Sequence, residues 1–561
     1  MALFRPLFRR RADEERWNTL PVQGHVLAVA RTLTSATRVM DTLLALPPQV
    51  KVSFTVNPGS AFASGLDGYL HTLRLDGITV LPWQDAVGGR FDVAVACAVH
   101  RSMHRLRAPL VVMPHGAGYN RLVRQSTGDG TSAAGLSRRE LTYRGRVFPA
   151  VVLLSHPRQF EQLRRSCPQA VERAEVVGDP CFDRISDSLP QRDRYRAALG
   201  VRQGRRLVVV NSTWSEHSLL GRHPDLPLRL VQQLPADEFA VALVLHPNIW
   251  ARHDPHRLMR DAEAAGLMVV PPQRGWQAAL VAADWVVGDH GSVSFYGAAL
   301  DRVTLLAATG QAELDPHSPA YAFGHTAPPL DPGGDLHAQL LLAAEHHDGQ
   351  ALREVTDLSL GERGQSTRNL LKALGPFMTA VRVPKDDPRP VPYPAPQPVT
   401  GRPTAYDVTG ERTGDGVRIR RYPLGVEPAA ARGFYAVTSE EPRLGLRAVA
   451  EVVVREHPHG ELPPAQWLAA TAGQLPGLSV AVTALDPDLG RHLVRLRSGL
   501  LLEAAAVRSW GEAAPQLDPV LLGAALALWL GRGGAEADLP KAGLLVRTGD
   551  RTARVRFSVH P

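Results

Sequence analysis

Between Val286 and Leu300 the sequence VVGDHGSVSFYGAAL carries an apolar strand that ends at Asp289, followed by a small, hydroxyl-bearing turn that opens into a helix. A junction of this kind holds anions. The free N–H groups of the first helical turn, the hydroxyls of Ser292 and Ser294 and the positive end of the helix dipole converge on one spot, and Gly291 lets an anion approach the backbone. Asp289, Gly291, Ser292 and Ser294 are therefore candidates for holding a phosphate or a ribose. The competing reading is an ordinary N-cap, which every strand-to-helix unit needs.

Three further strand ends carry similar punctuation: LVVMPHGAGYNR (110–121), AEVVGDPCFDR (174–184) with RLVVVNSTWSEH (206–217), and VALVLHPNIW (241–250). Loops at the carboxyl edge of a parallel sheet look like this when they face a ligand crevice. His115, followed by Gly116, is placed at the crevice mouth, where a neutral imidazole can take a proton from an acceptor hydroxyl; the alternative is a turn-capping histidine. His246 is held extended by Pro247 and is placed to donate to a phosphate, or else is a strand-end core histidine. Thr213 joins the nucleotide-binding candidates, while Trp214 reads as packing rather than as a stacking platform.

In order and spacing, His115-Gly116, Gly178-Asp179-Pro180 with Asp183, Ser212-Thr213-Trp214, His246-Pro247 and Asp289 with Ser292 resemble the teichoic-acid type CDP-glycerol glycerophosphotransferases. More loosely they resemble the nucleotide-sugar 2-epimerases; both families have the two-Rossmann glycosyltransferase-B fold. Three positions depart from the family pattern: Pro114 replaces Trp, Cys181 replaces Arg, and His290-Gly291 replaces Tyr-Ser. The loss of that Arg removes a phosphate-pairing fork. The resemblance implies a transferase that moves a polyol phosphate or sugar from a CDP- or UDP-linked donor to a hydroxyl of a cell-surface polymer. His115 would be its base, and His246 and the Ser292 helix start would hold leaving-group charge, with no cofactor or metal. A 2-epimerase, which needs acidic groups in the crevice, and an inactive two-Rossmann scaffold are the alternatives.

The elements that would position these residues form two series. GHVLAVARTL, VKVSFTVNP, GITVLPW, FDVAVACAV, APLVVMPHG, AVVLLSHP and AEVVGDP read as strands of one parallel sheet; RLVVVNST, FAVALVLHP, LMVVPP, DWVVGDH and RVTLLAA read as strands of another. The fold class expected is α/β, with a basic tail at 1–20, Rossmann-like domains at 21–200 (acceptor side) and 201–382 (donor side), and the helix-like segment 362–381 crossing back. A proline-rich spacer at 383–404 is extended by composition. An α+β module at 405–561 is expected as an antiparallel sheet with helices on one face.

Composition sets the limits. With 561 residues, 44% hydrophobic and 21% charged, the chain is an ordinary globular protein of several domains. Its formal charge is +8, carried almost wholly by arginine. No nucleic-acid motif is present, so anionic substrates or an anionic membrane face are the expected partners, and nucleic acid is not. Cys97, Cys167 and Cys181 fit neither a disulfide framework nor a zinc site, which points to a cytoplasmic location. The tail, with Leu3, Phe4, Leu7 and Phe8 among Arg5, Arg9, Arg10 and Arg11, is read as a frayed terminus or as a peripheral contact with the inner membrane face. The His-rich pieces at 253–256, 345–348 and 455–461 and the Asp486-Pro487-Asp488 triplet read as solvated loops.

Overall fold

The computed structural model describes residues 21–60, 66–273, 275–381, 390–425, 433–458, 460–486, 490–507 and 518–560. The basic tail 1–20, with its expected membrane contact, and Pro487-Asp488 lie outside these residues. Nine strands belong to the first part of the chain: β1 (Gly24–Ala30), β2 (Val50–Val56), β3 (Thr79–Leu81), β4 (Val93–Ala96), β5 (Leu110–Val112), β6 (Thr142–Tyr143), β7 (Arg146–Val147), β8 (Val151–Leu154) and β9 (Ala174–Val176). All but the β6–β7 hairpin form one parallel sheet, in the order β3-β2-β1-β4-β5-β8-β9.

The second sheet contains β10 (Arg206–Ser212), β11 (Phe239–Leu245), β12 (Met268–Val270), β13 (Trp285–Gly288), β14 (Val303–Leu306) and β15 (Val399–Thr400). Its order is β14-β13-β10-β11-β12-β15, with only β15 antiparallel. All seven side chains of β11 are buried, as a strand covered on both faces requires. In each sheet the order reverses beside the first strand, β1 or β10, and a crevice opens there at the carboxyl ends.

Packing does not follow the expected boundary at residue 200. The helix Pro180–Asp187 places Cys181, Phe182 and Ile185 in the core of the second sheet, while Leu370, Ala373 and Leu374 of the helix Ser366–Leu374 pack under the first. The chain therefore crosses twice between the sheets. At the crossing Gly178 has φ +87°, and a β-carbon there would stand 2.9 Å from the Gly361 carbonyl oxygen. Asp183 fastens the return crossing by accepting from the Gly364 and Ser366 N–H groups at 2.8 and 3.0 Å.

The C-terminal module differs from the expected one-sided antiparallel sheet. Strands β16 (Ala405–Thr413), β17 (Gly416–Pro423), β18 (Phe434–Thr438), β19 (Val452–Arg455), β20 (Val480–Asp486), β21 (Arg491–Leu496), β22 (Leu501–Ala506), β23 (Leu544–Thr548) and β24 (Arg551–Val559) close into a nine-stranded barrel. Pairs β17–β23, β18–β19 and β19–β20 are parallel and the others antiparallel. The helix Pro519–Gly531 explains the closure. Its sequence PVLLGAALALWLG is apolar on every side, so a one-faced sheet cannot satisfy it. Val520 to Trp529 are all buried, in one core with Val408, Ile419, Val454, Val482, Val494 and Val555 of the surrounding strands. The stretch HLVRLRSGLLLEAAAV turns at Gly499 (φ +94°) into the hairpin β21–β22.

Buried Arg421 ties the barrel to the second sheet, donating to Asp237 at 2.7 and 2.9 Å and to Asp518, the N-cap of the central helix, at 2.7 Å. Residues 390–398 of the proline-rich stretch form neither helix nor strand, and they are docked rather than loose. Arg184 donates to the Val391 carbonyl at 2.7 Å, Tyr393 is buried with its N–H on Ser188 Oγ, and β15 extends the second sheet. Limited proteolysis is therefore expected to spare residues 390–404 in the native protein, as followed by mass spectrometry. A rapid cut there, releasing a free barrel, would contradict the docking.

Candidate functional site

One cavity of about 390 Å³ lies where the carboxyl ends of both sheets face each other. Its walls come from the ends of β1 (Arg31, Thr32), β4 (Cys97), β5 (Met113 to Gly116), β10 (Ser212, Thr213), β11 (His246) and β12 (Pro271), and from the turn His290 to Ser292. Of the residues marked from sequence, His115, Gly116, Thr213, His246, Gly291 and Ser292 all line it. Asp289 and Ser294 do not.

His115 lines the cavity and is exposed there. Desolvation by the walls, followed by the charge of Arg38, pulls its pKa down to about 4. One ring nitrogen donates to the Cys97 carbonyl. At neutral pH the other nitrogen is then a lone pair, which is the form a general base needs. His246 lies near enough to His115 to feel its charge: burial, then His115, then Arg121 bring the His246 pKa down to about 3. Its Nδ1 accepts the Asn248 N–H at 3.1 Å, which places the ring proton of the neutral form on Nε2 as a donor.

Arg38 is the largest omission of the sequence reading. Its guanidinium is buried and spans both sheets. It donates to the His115 carbonyl (3.2 Å) and to Tyr296 Oη (3.2 Å), and Tyr296 passes a hydrogen bond to Asp179 at 2.6 Å. The loop that carries His115 is thereby tied to the helix Ser292–Ala299. A second tie is the Ala117 N–H donated to Ser292 Oγ at 3.1 Å, which leaves the Ser292 hydroxyl hydrogen for the cavity. Gly116 is required by the same approach, because a β-carbon there would stand 2.5 Å from Ser292 Oγ.

Asp289 is fully buried. It accepts the Thr213 N–H (2.8 Å), the Thr213 hydroxyl (2.9 Å) and the Leu219 N–H (2.9 Å) on one oxygen and the Gly291 N–H (3.1 Å) on the other. Ser294 is likewise buried and bonds Asn211 Oδ1 at 3.1 Å. Both hold the phosphate-type turn in place from beneath. Gly291 caps the helix without a side chain, and a β-carbon on it would come within 2.4 Å of Thr213 Cγ2.

The altered motif positions have structural places. His290 packs on Gly310 with Nε2 3.3 Å from Glu313, and Arg121 bonds Glu313 and lies 4.2 Å over the Trp214 ring. Burial alone would raise the Glu313 carboxyl, yet His290 and Arg121 hold it down at about 2. With the Leu122 N–H on the Glu313 carbonyl and the Asp315 N–H on the Asn120 carbonyl, this group clasps the two sheets beside the cavity. Trp214 lies under Arg121, half-buried, and also lines the cavity. Cys181 is buried and receives the Tyr393 hydroxyl at 3.4 Å. Among the described residues no group of His, Cys, Asp or Glu is arranged to hold a metal ion, and no helix is long and apolar enough to cross a membrane.

No protein-family model matches the chain, and no curated protein matches it. Solved structures similar to it include the wall teichoic acid polymerase TagF, at 12% identity and TM-score 0.45 over 64% of this chain and 90% of that one. The UDP-GlcNAc 2-epimerase from Neisseria meningitidis bound to UDP-GlcNAc is similar at 11% identity and TM-score 0.42, over 62% and 99%. The S. aureus MnaA–UDP structure is similar at 10% identity and TM-score 0.38, over 65% and 100%.

Proposed function

We propose that the chain is a nucleotide-dependent transferase of the two-Rossmann, glycosyltransferase-B type. It moves a polyol phosphate or sugar from a CDP- or UDP-linked donor to a hydroxyl of a surface polymer or related acceptor. The carrying observation is the cavity at the carboxyl ends of both sheets, whose lining brings together His115, His246 and the helix start at Ser292. The acceptor O–H gives its proton to His115 as its oxygen attacks the donor's phosphorus or anomeric carbon. The bond to the nucleotide leaving group breaks, and His246, the Ser292 hydroxyl and the helix dipole stabilise the charge left on phosphate oxygens. Arg38 and Asp289 act as positioning residues.

The cavity's acidic lining favours transfer over epimerisation. Its carboxylates among the described residues are Asp41, paired with Arg184 at 3.0 Å, and Glu140, which accepts from Ser137 Oγ at 2.7 Å and the Gly135 N–H at 2.8 Å. Both are occupied in structural bonds rather than presented to a sugar ring. Nucleoside diphosphate at about 100 times its dissociation constant is expected to stabilise the protein by roughly 2.7 kcal/mol, measured by thermal shift with CDP, UDP and GDP. Absence of a shift with all three would remove the nucleotide site. Products analysed after incubation with a UDP-sugar separate a transferase from an epimerase.

A further inference from the structure

The piece 455–461, expected as a solvated loop, begins on a buried arginine. Arg455 ends β19 and is 8% exposed. In the barrel β18, β19 and β20 run parallel and are joined by the helices Leu444–Val449 and Pro464–Gln474, so Arg455 stands at the carboxyl end of a strand whose crossover helix starts a few residues on. Parallel strand-helix units present their ligand sites at this end.

Three contacts fix the guanidinium beside the start of that helix. Nε donates to Thr483 Oγ1 on the paired strand β20 at 2.9 Å, and Nη1 donates to the Leu462 carbonyl at 2.9 Å. The ring of Trp467, in the first helical turns, lies 4.9 Å from the guanidinium carbon. Gly460 lets the chain pass close by, because a β-carbon there would stand 3.2 Å from Nη1. Nη2 is buried and has no hydrogen-bond partner. Among the described residues no carboxylate pairs with Arg455, and burial alone lowers its pKa. Glu456, next in the chain, feels Asp518 and Arg402 instead. The helix has a matching deficit: its N-cap Pro463 offers no side-chain acceptor, Pro464 has no N–H, and among the described residues the N–H groups of Ala465 and Gln466 meet no acceptor, whereas that of Trp467 bonds the Pro463 carbonyl.

A buried cation and the positive end of an 11-residue helix thus lie together with no negative charge to balance them, which costs free energy until an anion enters. We infer that Arg455 Nη2 and the Ala465 and Gln466 N–H groups form a binding site for one phosphate group, carried as free phosphate or on a small phosphate monoester. The site offers donors only, which suits the acceptor-only oxygens of a phosphate dianion. Thr483 and Trp467 are positioning residues that hold the guanidinium in place. None of these residues lines the cavity between the two sheets, and the site stands independently of the transferase reading.

Inorganic phosphate and ribose 5-phosphate are the probes, titrated into the full-length protein at constant ionic strength and followed by calorimetry and thermal shift. Saturable binding of either supports the site, and the tighter of the two tells whether it takes free phosphate or a monoester. R455Q is expected to weaken that binding about tenfold or more and to abolish the phosphate-dependent rise in Tm. R455K keeps the charge without the fork and should also bind more weakly; it decides the matter if R455Q does not fold. The control R418Q, which removes one exposed charge from the barrel, should leave affinity and rise unchanged. If Arg455 merely braced the loop, R455Q would lower Tm by the same amount with and without phosphate. That result, wild-type affinity in R455K, an equal loss in R418Q, or no saturable binding by the wild type would each overturn the site.

Discussion

His115→Ala is expected to lower turnover about 10²- to 10⁴-fold while leaving donor binding nearly intact, since the imidazole acts on the acceptor's proton and not on the nucleotide. The pH profile carries a sharper expectation. A base works when deprotonated, and His115 stays deprotonated down to about pH 4 because its cavity and Arg38 disfavour the cation. The acid limb of kcat/KM should therefore fall near pH 4 instead of near the ordinary histidine value of about 6.5. Bound donor adds negative charge, which favours imidazolium, so the limb in kcat should lie above that in kcat/KM. Arg38→Met removes the nearby positive charge and should move the limb of kcat/KM upward. Normal turnover in folded His115→Ala would remove this residue from the mechanism.

The legible parts of the sequence were those where local pattern and tertiary role agree. Continuous apolar runs such as FAVALVL and RLVVV are buried on both faces, and their ends, punctuated by His-Gly or His-Pro, converge on one cavity as spacing suggested. Arg38 was not legible because a single arginine in SATRVMD reads as the solvated side of a helix; only the contact of that helix with Tyr296, 258 residues away, makes it internal. In the barrel, PVLLGAALALWLG did carry the signal: a helix apolar on all sides demands walls on all sides, and β24 returning beside β22 and β23 completes them.

Asp289 separates the two meanings of the strand-end motif most clearly. Its type and position suggest direct contact with a ribose or phosphate, but a carboxylate with no exposed surface and four protein donors has no oxygen to offer a ligand. Asp289→Ala is expected to cost about 3–5 kcal/mol of stability, because three buried N–H groups would lose their acceptor and each such loss costs about 1–3 kcal/mol before relaxation. Asp289→Asn should also destabilise, since its NH₂ group would face N–H donors. Ser292→Ala, by contrast, should remove one hydroxyl contact worth about 0.5–1.5 kcal/mol of nucleotide affinity. Urea unfolding with and without CDP distinguishes them. A positioning role requires that Asp289 variants lose stability already without nucleotide, and Ser292→Ala should mainly lose the nucleotide-induced increment. If Asp289→Ala kept full stability and lost only the increment, the carboxylate would be a ligand contact after all, and the Thr213 and Gly291 turns would need some other support.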